Sequence, residues 1–202
     1  MPRKNAQTEI RPPGRRFLLR IIGGEWRGRK VRFPPDAAIR PTPDRVRETV
    51  FNWLQADVPG SRCLDLYAGS GSLGLEALSR GARQVVFVDH DRAVTRHLRE
   101  TLAELRCDRG QVIHSDAMGY LAAGAAPFDI VFLDPPYAGH LLAETCRRIE
   151  AAGWLRPGGV VYLEDAASEG PPELPAGWTL LRSKRAGEVG YHLARRGPAP
   201  AG

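Results

Sequence analysis

Four short segments of this chain carry residues whose types and spacing suit chemistry on a small polar group. The sharpest is Asp134-Pro135-Pro136-Tyr137, directly after the apolar run Phe128–Leu133. Two prolines fix the backbone at that point. The Asp134 carboxylate and the Pro135 carbonyl then stand as two rigid acceptors facing one way, a match for the two protons of an exocyclic NH2 group. Tyr137 offers a flat face on which a base can stack. The bland alternative, a plain turn after a strand, does not explain why the tetrad stands downstream of three further motifs.

The first of these is Leu64-Asp65-Leu66-Tyr67-Ala68-Gly69-Ser70-Gly71-Ser72-Leu73-Gly74, which spells G-x-G-x-x-G between a strand-like and a helix-like run. Glycines there permit a tight turn and close approach of a nucleotide-type ligand to the backbone. Asp65 sits badly beside a pyrophosphate. It suits a ligand with an ammonium group or another positive charge. The second is Val88-Asp89-His90-Asp91, with Asp89 at a strand end, close to the interval of about 20 residues expected for an acid that accepts ribose hydroxyls. Asp91 reads as the cap of the helix that follows. The third is Ser115-Asp116-Ala117, where Asp116 either accepts from an adenine amino group or caps the next helix; one residue can do both.

The elements needed to hold these segments are legible. From Arg62 onward, short apolar runs alternate with helical patterns: strands at Arg62–Leu66, Gln84–Val88, Gln111–His114, Phe128–Leu133 and Gly159–Glu164, with helices at Ser72–Ser79, Arg92–Arg106, Ala117–Ala123 and His140–Ala152. Strands that are apolar throughout belong to a parallel sheet buried on both faces. Two further strands, Trp178–Ser183 and Val189–Arg195, flank Lys184–Gly187 as an antiparallel hairpin. Ahead of this alternation, Thr42 caps a helix whose stripe is Val46, Val50, Trp53 and Leu54, with Pro43 and Asp44 in its first turn. The fold class is α/β: a Rossmann-like doubly wound sheet, mostly parallel, with an antiparallel C-terminal hairpin and an N-terminal β-hairpin extension.

The chain has 202 residues, 43% hydrophobic and 26% charged, with a net charge of +6. That fits one sizeable domain with an appendage: a flexible basic leader (1–16), a basic β-hairpin extension (17–40), a main domain (41–196) and a loose tail (197–202). No apolar run approaches the roughly 18 residues of a membrane span. The first residues lack a secretory signal's apolar core, so the reading is cytoplasmic. Three scattered cysteines and five histidines show no metal-ligand spacing, and no metal is expected. The charge is uneven: residues 1–32 hold ten Arg and Lys against two Glu, and the rest is close to neutral. A basic arm on a neutral body points to a polyanionic partner. Arg20, Arg27, Arg29, Lys30 and Arg32 alternate with apolar residues, so one face packs and the other meets phosphates. Trp26, near the hairpin tip, either stacks on a base or packs inward.

Together the motifs resemble those of class I S-adenosylmethionine-dependent methyltransferases, and the tetrad resembles that of enzymes acting on an exocyclic nucleobase or amide nitrogen. Arg20-Ile-Ile-Gly-Gly-Glu-Trp-Arg-Gly-Arg-Lys30 and Arg40-Pro-Thr-Pro-Asp-Arg-Val-Arg-Glu-Thr-Val-Phe-Asn-Trp-Leu54 narrow the likeness to the bacterial 16S rRNA (guanine(966)-N2)-methyltransferases. It runs from about Phe17 to Leu193, with Asp89 where a Glu is often found. It implies that S-adenosylmethionine is the cofactor and that 16S rRNA, in a small-subunit assembly particle, is the partner of a monomeric enzyme. Asp65, Gly69 and Gly71 would then lie along the methionine end, Asp89 on the ribose, and His90 and Asp116 beside the adenine. Thr42 and Arg47 would close the pocket, with Arg40, Arg45 or Arg47 on the cofactor's carboxylate. Asp134, Pro135 and Tyr137 would hold the target base. Competing readings are methylation of adenine N6 or of a protein glutamine, a non-catalytic RNA-binding protein on this fold, and an NAD-dependent oxidoreductase. Asp65 and the tetrad argue against the last.

Overall fold

The computed structural model describes residues 18–32, 42–136 and 141–198. The leader, Arg40, Tyr137, His140 and the last four residues lie outside them.

Strand β1 (Leu18–Arg20) pairs with β2 (Lys30–Arg32) as a two-stranded antiparallel ribbon. Helix α1 (Asp44–Trp53) follows. The main domain then runs β3 (Arg62–Asp65), α2 (Ser72–Ser79), β4 (Gln84–Asp89), α3 (Arg92–Glu104), β5 (Gly110–His114), α4 (Ala117–Ala122), β6 (Phe128–Leu133), α5 (Leu141–Ala152), β7 (Leu155–Ala166), β8 (Trp178–Ala186) and β9 (Val189–Arg196). The strand order is β5-β4-β3-β6-β7-β9-β8. The first five are parallel; β9 runs antiparallel to both β7 and β8, so β8 points the same way as the first five. This is the expected doubly wound sheet with a terminal hairpin.

The chain winds outward from β3 through β4 to β5, then returns to β6 on the other side of β3. Such a reversal opens a crevice at the carboxyl ends of the two central strands, the place where open α/β sheets bind ligands. Asp65 ends β3, and Asp134 follows β6. On one face of the sheet the ribbon, α1, α2 and α3 bury Leu19, Val50, Phe51, Leu75 and Leu98 against Phe87, Phe132 and Tyr162. On the other, α4 and α5 bury Leu121, Cys146 and Ile149 against Val131, Leu133 and Val161. Each large apolar side chain enclosed in this way contributes about 1.5–3 kcal/mol.

The ribbon is fastened by one acid. Glu76 of α2 is fully buried and accepts from the Ile22 N–H (2.9 Å), the Gly23 N–H (2.8 Å) and Arg80 Nε (2.7 Å). Ser79 adds two bonds, accepting from the Trp26 N–H and donating to the Gly23 carbonyl. Trp26 is buried, so of its two sequence readings the inward one holds. Alternation survives in the strands: Leu19 and Val31 are buried while Arg20, Lys30 and Arg32 point outward, as do Arg27 and Arg29 in the connection.

Three local expectations are corrected. Thr42 does not cap α1: Pro43 is the capping residue, with no side-chain hydrogen bond, and the Thr42 hydroxyl lies 3.2 Å from that of Ser72 instead. Strand β7 begins at Leu155, ahead of the Pro157-Gly158-Gly159 run that reads as a break. The exposed residues Arg156–Gly158 form an irregularity where the pairing with β6 shifts register, which is how a strand tolerates proline and glycine. Strand β8 continues through Lys184 and Arg185 to Ala186, so the connection to β9 is a tight turn at Gly187, with φ of 63°. Among the described residues, no helix is long and apolar enough to cross a membrane.

Candidate active site

Between β3 and α2 the chain turns sharply. Gly69 has φ of 48° and Gly71, which precedes α2, has φ of 70°. The Gly71 N–H donates to the Ala68 carbonyl, and the Ala68 N–H reaches the Val88 carbonyl on β4. Gly74 has a different reason to be glycine: a Cβ there would stand 2.2 Å from the Phe87 ring, so its absence lets α2 lie against β4. The G-x-G-x-x-G run thus combines left-handed turn positions with a close helix–strand contact.

Asp65 ends β3 beneath this loop and accepts from the Gly74 N–H at 3.0 Å. Burial pushes its carboxyl up to about 8, against the Gly74 bond, which lowers it; the Asp89 charge raises it further. Asp89 fixes the loop from the neighbouring strand. One of its oxygens accepts from the Gly69 N–H and the other from the Asp91 N–H, both at 2.8 Å. A carboxylate has about four lone-pair sites, so each oxygen retains capacity for a further donor. His90 is 81% exposed, with Nδ1 3.6 Å from Asp89.

Asp91 and Asp116 take the capping positions. Asp91 accepts from the Ala93 and Val94 N–H groups, and Asp116 accepts from the Gly119 N–H at 2.8 Å. Asp116 is also exposed at the same sheet edge, which leaves its second oxygen accessible.

Asp134 lies across the crevice from Asp65. Burial, and then the charges of Glu164 and Asp65, push its carboxyl well above the usual carboxylate range, while a hydrogen bond from Thr42 opposes them. The Thr42 hydroxyl also lies 3.2 Å from that of Ser72. The corrected Thr42 thus links the first residue of α2 to Asp134. Glu164, two residues before the end of β7, is buried and accepts from the Tyr162 hydroxyl at 2.7 Å. Pro135 is buried and Pro136 exposed; Tyr137 lies outside the described residues. Three buried or half-buried carboxyls thus share one nook at the switch point of the sheet. Such a nook is costly when all are ionised and favours a ligand with positive charge.

Arg47 does not face that nook. It is fully buried, with Nη2 2.6 Å from Asp44 and 2.8 Å from the Arg20 carbonyl, and Nη1 3.6 Å from Glu76. Its guanidinium takes part in the fastening of the ribbon. Sequence reasoning also missed Glu76 and Glu164. Both left a signal: Glu76 is the sole charge in the small, apolar helix Ser72–Ser79, and Glu164 ends the apolar run Val160–Leu163. A separate cleft of about 530 Å³, lined by Trp26, Arg83, Arg106 and Arg109, opens where β4 and β5 begin, at the opposite edge of the sheet from these carboxyls. Among the described residues, no group of three or more His, Cys, Asp or Glu residues could hold a metal ion.

Comparison with known proteins agrees in one direction. The family model described as conserved hypothetical protein 95 matches residues 19–195. The Escherichia coli K12 protein named ribosomal RNA small subunit methyltransferase D is 48% identical over 178 residues, covering 88% of this chain and 90% of that protein. The solved Escherichia coli protein yhhF superposes with a TM-score of 0.83 and 46% identity, over 90% of this chain and 99% of that one. A Thermus thermophilus 16S rRNA N2 G1207 methyltransferase, solved with AdoMet and guanosine, gives a TM-score of 0.63 at 28% identity, over 90% of this chain and half of that one.

Proposed function

This chain belongs to the conserved hypothetical protein 95 family, and from that premise we propose that it methylates the exocyclic N2 of a guanine, guanine 966, in 16S rRNA, using S-adenosylmethionine. The substrate in this reading is an assembling small-subunit particle. The observation that carries it is Asp134, held by Thr42 beside Asp65 and Glu164 at the switch point, directly after β6 and followed by two prolines.

The residues present fit such a cofactor. S-adenosylmethionine supplies an electrophilic methyl group on a positively charged sulfur. A cation in the carboxyl nook favours the ionised forms of Asp65 and Asp134 and offsets their mutual repulsion. Asp89, with both oxygens aligned by backbone N–H groups, suits a ribose diol, and Gly69 and Gly71 keep the loop bare enough for close approach. Asp116 and His90 border the adenine in this reading. Thr42 acts on Asp134, and Arg47 is left out.

Guanine N2 is a weak nucleophile because its lone pair is delocalised into the ring. Ionised Asp134 and the Pro135 carbonyl accept its two N–H groups, turn the lone pair toward the methyl carbon, and stabilise the positive charge that grows on nitrogen. Catalysis of this kind is positioning and electrostatics, with no covalent enzyme intermediate. Tyr137 stacks on the base. Once N2 carries the methyl group it holds one proton too many, and ionised Asp134, which already accepts its N–H, would take that proton and pass it to water. Arg20, Arg27, Arg29, Lys30 and Arg32 on the ribbon meet rRNA phosphates.

The test is to incubate the protein with S-adenosylmethionine and undermethylated small-subunit particles and to map the modified nucleotide. Asp134→Ala is run beside it and is expected to abolish turnover while changing cofactor affinity no more than a few fold. Methylation elsewhere than on a guanine N2, or wild-type turnover by the variant, overturns the reading.

A further inference from the structure

The sheet carries a second basic feature that the N-terminal arm does not explain. Beyond the irregularity at Leu181, β8 presents Arg182, Ser183, Lys184 and Arg185, all exposed, on the last strand of the sheet. Among the described residues, no carboxylate forms an ion pair with Arg182, Lys184 or Arg185. Arg182 instead donates to the Leu181 carbonyl and Arg185 to that of Gly187. One acid, Glu188, follows in the turn. An edge strand with unopposed cations avoids pairing with other sheets, but that purpose does not explain where these cations sit.

Register places Arg182 and Lys184 in line with the reactive carboxyl, while Arg185 belongs to the opposite face of the same edge strand. Glu164 of β7 pairs with Tyr191 of β9, and Tyr191 pairs with Lys184 of β8. Directly paired residues share a face, so Glu164, Tyr191 and Lys184 form one row across the sheet. Asp134 continues that row, because Leu133 pairs with Leu163 and each is followed by its acid. With strands about 4.8 Å apart, Lys184 lies roughly 15 Å from Asp134 along the row. Arg182 pairs with Leu193, two residues further from the carboxyl edge on the same face. The lysine is held in place: its Nζ is 5.9 Å from the centre of the Trp53 ring, within cation–π range, and Trp53 stacks on Tyr191 at 5.5 Å and 23°.

We infer that the β8 edge, with Lys184 set on the Trp53–Tyr191 stack, Arg182 beside it on the same face and Arg185 at the rim on the other, binds the phosphates of the RNA strand next to the methylated guanine. This inference rests on the function proposed above and extends it. An N2 atom can reach Asp134 only when its base leaves the stack, and the phosphates on either side of an extruded nucleotide then need a charged track outside the pocket. A row that begins at the reactive carboxyl and ends in cations a few nucleotide lengths away is such a track. The ribbon grips the RNA at one end of α1, and the β8 edge grips it beside the other.

The experiment uses the full chain with Arg182, Lys184 and Arg185 all replaced by Ala, together with Lys184→Arg. Filter binding of isolated 16S rRNA is measured over a salt series, kcat and KM are measured on undermethylated particles, and S-adenosylmethionine is titrated as a control for an intact fold. Each lost phosphate contact lowers the salt slope by about 0.7 for single-stranded RNA, so the triple variant should lose about two. Its KM should rise roughly tenfold or more, with cofactor affinity unchanged, and Lys184→Arg should behave as wild type. An unchanged slope and KM in the triple variant, beside an active wild type, overturn this inference and leave the proposed function standing. A KM that rises on particles without any change in binding to isolated rRNA also overturns it, since the edge would then meet a ribosomal protein. An inactive wild type would refute the proposed function itself, and the binding of isolated rRNA would still be read separately.

Discussion

Replacing the buried Glu76 by Ala should release the ribbon from α2 at a large cost in stability. Three donors converge on this carboxylate, and the Arg47 guanidinium beside it is fully buried. Removing one partner of a buried pair costs about 3–5 kcal/mol, because the remaining charge stays in a poor solvent. Arg47 keeps Asp44 and the Arg20 carbonyl, which reduces that figure; the Ile22 and Gly23 N–H groups lose their acceptor, which at about 1–3 kcal/mol each restores it. A net loss of about 4 kcal/mol is expected. In a chain of this size that lowers Tm by roughly 8–16 °C. Glu76→Gln keeps one acceptor oxygen and should lose about half as much. Urea unfolding followed by tryptophan fluorescence gives the free energies, and amide exchange at Ile22 and Gly23 shows whether the ribbon is what comes loose. A Glu76→Ala protein within about 1 kcal/mol of wild type would refute the claim that this acid fastens the ribbon.

Asp89→Ala should weaken S-adenosylmethionine binding by about 1.5–3 kcal/mol, a tenfold to hundredfold loss, since a charged acceptor disappears and Gly69 is released; unchanged affinity in calorimetric titration would remove Asp89 from the ribose role. The pH dependence follows from Asp65, whose folded value of about 8 lies above its ordinary 3.8. Its contribution to stability is full below about pH 4 and is lost as pH rises through about 8, so the ligand-free protein should melt lower at pH 9 than at pH 6, and cofactor affinity should rise over the same interval as the carboxylate becomes available. Asp65→Asn should flatten both profiles. Replacing Arg27, Arg29 and Lys30 by Ala should flatten the salt dependence of rRNA binding by about two and leave cofactor binding unchanged; an unchanged slope would make the ribbon purely structural.

Elements punctuated by glycine or proline were legible in the sequence. Helix α2 begins at Ser72 and ends at Ser79 as its flanking Gly71 and Gly81 require, and β6 spans the run that stops at Asp134. The parallel sheet followed from strands apolar throughout, and the terminal hairpin from the late change of pattern. What was not legible depends on partners distant in the chain. Thr42 before Pro43-Asp44 carries the local signature of a helix cap, yet Ser72 and Asp134 compete for its hydroxyl and win. Arg47 has the type of a carboxylate clamp, and nothing near it in the sequence foretells its ion pair with Glu76. Strand β7 begins earlier than its glycines suggest because the neighbouring β6 gives Leu155 a partner.

The fastening of the ribbon also fixes an order of events. Two three-residue strands are marginal by themselves in water. The bonds that hold them reach from Ile22 and Gly23 to Glu76, and from Trp26 to Ser79, over 53 or 54 residues of chain. Contacts of such span form only after the loop between them has closed. Residues 18–32 therefore leave the ribosome before the helix that secures them exists, and they cannot dock until α2 has been made and has packed on β4. The first stretch of this fold to be synthesised is thus among the last to be secured. By the same reasoning it opens first on warming, as a separate unit of low stability on one face of a tightly packed sheet.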